Sequence, residues 1–189
     1  MNRRDAISRV ALLLGGTVIG SSMFLTSGCQ APLKRVDQLF EEDQIKLMDE
    51  IADTILPETK TPGAKAAKVG AFMALMVNDC YDAHDQKIFL DGLVKVQETF
   101  REKYGTDFTG AAQKDRTEFL TGLDLAQKSY TENKKPTDAN HYFRMMKELT
   151  LLGYFTSEIG CTKAQRYVLV PGKYDGNFPY KKGDRAWAS

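Results

Sequence analysis

From Ile45 to Tyr154 the apolar residues return every three or four positions, in five separate runs. That period gathers them on one face of an α-helix, and each such face must be buried against a neighbour. The first run is Ile45, Met48, Ile51, Ala52 and Ile55. Glu41, Glu42 and Asp43 stand at its start, where the helix dipole favours acids, and Pro57 stops it. The second holds Val69, Phe72, Met73, Met76, Val77 and Cys80. The third holds Phe89, Leu90, Leu93, Val96, Phe100 and Tyr104, with Gly105 placed to end it. The fourth, Phe119, Leu120, Leu123, Ala126 and Tyr130, gives way to the polar stretch 132–138. The fifth contains Tyr142, Met146, Leu149, Gly153 and Tyr154 and is expected to run to about Gly160. Two-residue alternation is suggested only at 167–170. The reading is all-α: a single domain of about five helices over residues 39–170, packed around one core.

Beyond that domain the pattern breaks. Gly172, Gly176, Pro179 and Gly183 prevent a long helix in 171–189. Tyr174, Phe178, Tyr180 and Trp187 nonetheless make the segment too aromatic for a solvated tail. An irregular, aromatic-rich C-terminal arm is expected, packed on its own helices or docked on another subunit. Aromatic anchors serve both, and Tyr174, Phe178 and Trp187 are the candidate contacts for a partner.

The N-terminus reads as an address. Arg3 and Arg4 precede Val10–Leu25, sixteen apolar or small residues, fewer than the roughly 20 that span a bilayer as a helix. A basic start, a short apolar middle and a small-residue exit make a secretory signal over residues 1–28. The Arg3-Arg4 doublet resembles a twin-arginine export motif; an ordinary secretory signal that carries two arginines is the other reading. The exit, Leu25-Thr26-Ser27-Gly28-Cys29, resembles a bacterial lipobox, which makes Cys29 the expected lipidation site and 29–38 a tether. The expected location is the periplasmic side of a membrane, held there by lipid.

Charge excludes some functions. The chain has 26 basic and 25 acidic side chains, which offers no global field for nucleic acid. Loss of residues 1–28 removes Arg3, Arg4, Arg9 and Asp5 and leaves a side-chain charge of −1. The sequence contains no Cys-x-x-Cys-His, no His-Glu-x-x-His, no Walker loop and no strand-associated Gly-x-Gly-x-x-Gly. His84, in Asp82-Ala83-His84-Asp85, lies at a helix junction where capping or solvation outweighs metal ligation. His141 opens the fifth helix in the same way. No nucleophile–base pair is defensible, so catalytic, cofactor-binding and metal-binding residues are all read as none. Cys80 and Cys161 fit either a disulfide in an oxidising compartment or two buried thiols.

Three segments, in order, resemble the gluconate 2-dehydrogenase subunit 3 family. They are Ile51–Pro57 followed by Thr61–Ala67, then Met146–Glu158, then Pro171–Gly176. The similarity spans about residues 40–178. It implies a non-catalytic small subunit that exports, stabilises and anchors a large partner of the glucose–methanol–choline type. In such a complex the partner carries FAD and oxidises a sugar or sugar acid, and electrons leave through a haem-bearing cytochrome c. Pro57, Pro62 and Gly63 in the first loop, and Tyr154 and Ser157 on the last helix, are then candidate contacts for the partner. A stand-alone lipoprotein adaptor, without a dehydrogenase partner, is the competing reading.

Overall fold

The computed structural model describes residues 39–170 and 172–188. Arg3, Arg4, Cys29, the tether and Pro171 lie outside them. Five α-helices follow one another: α1 Glu42–Ile55, α2 Val69–Cys80, α3 Ala83–Tyr104, α4 Gln113–Asn133 and α5 Tyr142–Thr156. Their starts follow from local chemistry. Gln44 reaches back to accept the Glu41 N–H at 2.9 Å, and Glu42 and Asp43 occupy the first turn of α1. Asp82 caps α3 by accepting from the Asp85 N–H at 2.8 Å. Gly105, at φ 71°, ends α3 in the left-handed conformation and donates its N–H to Arg101 O.

The core is a continuous apolar cluster drawn from all five helices. Met48, Ile51, Met73, Val77, Phe89, Val96, Phe100, Phe143 and Met146 are fully or almost fully buried in it. Helix α5 touches each of the other four helices and acts as the central strut. Small residues permit its close approaches. A Cβ at Gly153 would run into the Phe72 ring on α2, and one at Gly92 on α3 would run into Tyr142. The buried Thr150 hydroxyl donates to Met146 O at 2.8 Å and is satisfied there.

Two departures from the expected pattern have local causes. A 3₁₀ turn, Phe108–Gly110, inserts Phe108 into the core between α3 and α4. Its ring lies 5.0 Å from that of Phe100, which in turn stacks edge-on against Phe119 at 5.2 Å. The other departure is α5, which stops at Thr156 rather than near Gly160. The Ser157 hydroxyl donates to Tyr154 O at 2.7 Å and accepts from the Gly160 N–H at 3.0 Å. This side chain competes with the helical ladder, and the chain turns into a short π-helical segment, Gly160–Ala164.

The suggested alternation at 167–170 condenses to two residues. β1, Arg166–Tyr167, pairs in parallel with β2, Trp187–Ala188, at the far end of the arm. Residues 172–186, between them, are all exposed, so the arm closes on its own base and does not wrap the helices. No helix among the described residues is long and apolar enough to cross a membrane.

Candidate functional site

The loop between α1 and α2 closes on itself. The Ala64 N–H donates to Leu56 O at 2.9 Å, across the exposed Pro57. Gly63 is buried there, and a Cβ would lie 2.7 Å from Glu58 N and 2.9 Å from Leu56 O. The buried Tyr154 on α5 donates its hydroxyl to Pro62 O at 2.7 Å. The structure therefore brings Pro62, Gly63 and Tyr154 together, in a lock that pins the loop to the last helix. Ser157 is spent on the turn after α5. Of the loop and helix candidates, only Pro57 is left largely free for an outside contact.

A second lock was not legible as a site. Glu50 on α1 accepts from Arg116 on α4 and from Lys65 in the loop, tying three segments through one half-hidden carboxylate. Burial would push Glu50 up, but the hydrogen bonds and charges of Lys65 and Arg116 outweigh it and hold the carboxyl below its ordinary range. Its neighbour Asp49 accepts the Gly70 N–H at 2.8 Å and so caps α2 from another helix. Lys68, at φ 55° in the N-cap position, offers no side-chain cap of its own. Burial raises the Asp49 pKa, and the Gly70 N–H only partly offsets it. On α4, Asp124 is held at about 2, chiefly by the Lys147 ammonium at 2.6 Å. The signal for the α1 acids was their position. Asp49, Glu50 and Asp53 flank the core-facing Met48, Ile51 and Ala52, where a carboxylate needs a partner.

An open groove of about 780 Å³ runs between α1 and α3 and takes in Glu50. Its charges are largely matched within it: Asp43 pairs with Lys46 at 3.0 Å, Glu50 with Lys65, and Arg101 with Asp107. Such internal pairing leaves little field for a charged ligand. His84 is exposed beside the Asp82 cap. His141 caps α5, its Nδ1 accepting from the Phe143 N–H at 3.2 Å, and burial with the nearby Lys95 lowers its pKa. Among the described residues no three His, Cys, Asp or Glu side chains gather as metal ligands.

Of the two readings left open for Cys80 and Cys161, neither describes the structure: the thiols are not bridged and neither is fully buried. Cys80 is exposed at the C-terminal end of α2, and Cys161 turns its thiol to Phe155 O at 3.3 Å. The π-helical segment aims that sulfur at the end of α5 and satisfies it there.

What remains unspent is apolar surface. On α5, Leu151, Leu152 (46% exposed) and Phe155 (40% exposed) face outward, and on α2 so does Leu75. Gly153, which sits on Phe72, marks the side of α5 that packs on α2; Leu151 and Phe155 lie on its opposite side, and Leu151 borders a cleft with Gln127 and Lys128 of α4. The arm is the second such surface. Phe178 packs edge-on to Trp187 at 5.4 Å, and the Arg166 guanidinium lies 4.1 Å from the Trp187 ring centre. Beside them Tyr174 is 91% exposed, at the rim of a groove of about 690 Å³.

The carboxylates whose pKa values are shifted, Asp49, Glu50 and Asp124, tie helices to one another. A family model described as gluconate 2-dehydrogenase subunit 3 matches residues 42–172, from the first residue of α1 into the arm. No individually curated protein and no solved structure matches the chain. With the match covering well over half its length, this chain belongs to the gluconate 2-dehydrogenase subunit 3 family.

Proposed function

We propose that this chain is the non-catalytic small subunit of a dehydrogenase complex. Its large partner is an FAD-dependent enzyme of the glucose–methanol–choline type that oxidises a sugar or sugar acid and passes electrons to a cytochrome c. Arg3-Arg4 directs export of the pair, and lipid on Cys29 holds it on the periplasmic side of the membrane. Family membership supports the association with a dehydrogenase. The observation that carries the reading to a surface is the outward apolar set Leu151, Leu152 and Phe155 on α5. Exposed apolar side chains grouped on one helix face mark a surface that a partner subunit can cover.

Two experiments test it. Leu152→Asp with Phe155→Asp places charges on that surface without touching the core, so the domain stays folded and the partner is lost from pull-downs. Retention of the partner by the double variant moves the interface elsewhere. Arg3→Lys with Arg4→Lys leaves both proteins in the cytoplasm, because twin-arginine export accepts folded cargo. Arrival of the flavoprotein in the periplasm despite those changes removes the carrier role.

A further inference from the structure

We infer that the C-terminal arm is a contact element for an anionic lipid surface, a role separate from both the subunit interface and lipidation at Cys29. Lys163, Arg166, Lys173, Lys181, Lys182 and Arg185 face only Asp175 and Asp184 over residues 160–188, a local charge of +4. The rest of the mature chain, residues 29–159, then carries −5. Among the described residues none of the six basic side chains pairs with a carboxylate. The two acids are turned onto the backbone: Asp175 accepts from the Asn177 N–H at 3.0 Å, and Asp184 from the Lys181 N–H at 3.1 Å. An anionic surface thus attracts the arm and repels the helices, which fixes the orientation of the molecule as well as holding it.

The aromatic content suits the same surface. Tyr174, Tyr180 and Trp187 are exposed, and each joins an apolar ring to a polar handle, the combination favoured at the headgroup level of a bilayer. Leu169, Val170 and Phe178 add exposed apolar contact. The base of the arm is fastened: β1 pairs with β2, Arg166 Nε donates to Arg185 O at 2.8 Å, and Arg185 Nη1 donates to Lys163 O at 2.8 Å. The segment between is a closed loop with every residue from 172 to 186 outside. A protein interface is organised around a tightly packed apolar centre. Basic and aromatic residues interspersed along a loop with no buried position instead match a surface that moulds to them.

Trp187 is the chain's one tryptophan, so the arm carries its own reporter. The full chain is mixed with vesicles of phosphatidylcholine alone, or of phosphatidylcholine and phosphatidylglycerol in a three-to-one ratio. Flotation and Trp187 fluorescence are read at low and at physiological salt. The inference predicts roughly tenfold or more tighter binding to the anionic vesicles, weakened by salt, with a blue shift of Trp187 emission. Combining Lys163→Gln, Lys173→Gln, Lys181→Gln and Lys182→Gln, which leaves the bonds of Arg166 and Arg185 in place, abolishes that preference while far-UV circular dichroism is unchanged. The apolar N-terminal segment is common to both chains and drops out of the comparison. Equal binding to the two vesicle types, an unshifted Trp187, or a preference that survives the four substitutions overturns the inference. So does a quadruple variant that keeps the anionic preference but loses a protein partner, which makes the arm a protein interface.

Discussion

Phe108→Ala is the sharpest probe of how this helical domain is held together. The ring is fully buried, 5.0 Å from that of Phe100 and 6.4 Å from that of Phe119, with the Arg116 guanidinium 5.9 Å from its centre. Truncating a buried Phe costs about 3–5 kcal/mol, depending on how far the site collapses. Phe108 sits on a three-residue turn whose other members, Thr109 and Gly110, are exposed and free to move inward. Partial collapse puts the cost near the lower end, about 3 kcal/mol. For a chain of this size that lowers Tm by about 6–12 °C. Phe178→Ala, on the half-exposed arm ring, serves as the control and changes stability by no more than about 0.5 kcal/mol. Urea unfolding followed by far-UV circular dichroism, with midpoints compared at unchanged slope, measures both. A Phe108→Ala protein within about 0.5 kcal/mol of the parent, or a Phe178→Ala protein as unstable as Phe108→Ala, refutes the packing described for the turn.

Three further outcomes are expected. Glu50 and Asp124 have lowered pKa values, so their contributions are present above the ordinary carboxylate range and are lost as pH falls, for Asp124 towards about 2. Asp49 is raised, so its ionisation costs stability as pH climbs through that range; Asp49→Asn removes this opposing slope and makes the acid-side rise steeper, which urea midpoints between acid and neutral pH will show. Tyr154→Phe deletes the bond to Pro62 O, costs about 1 kcal/mol, and increases proteolytic cutting at Lys60 and Lys65; an unchanged cutting rate means the hydroxyl does not pin the loop. In a Cys29→Ser background without reductant, Cys80 and Cys161 both react with an alkylating reagent, Cys80 faster; two unreactive thiols contradict the free state of the pair.

The helices were legible because each carries its own apolar period and a local stop such as Pro57 or Gly105. What escaped was non-periodic or distant in sequence. Phe108 is a lone apolar residue in a short connection, so no repeat marks it as core. The cap of α2 comes from Asp49, 21 positions away and on another helix, and nothing near Lys68 signals it. Pro62 and Tyr154 stood in two separate motifs, but their bond spans 92 positions and becomes visible only once α5 lies beside the loop. Ser157 read as a helix residue because its hydroxyl's competition with the backbone depends on the turn that follows. The arm's aromatics were seen, while their fate was not: a two-residue strand pair has no pattern to read.

The proposed role places the chemistry in a flavoprotein partner and none in this chain. The decisive experiment is to purify the chain in native form from membranes, record the absorbance spectrum, and assay sugar oxidation with an artificial electron acceptor. The expected result is a flavin spectrum and sugar oxidation in the purified complex, both of which leave with the partner when Leu152→Asp and Phe155→Asp are introduced. A chain that purifies without flavin, or one that oxidises sugars after every partner has been removed, contradicts it.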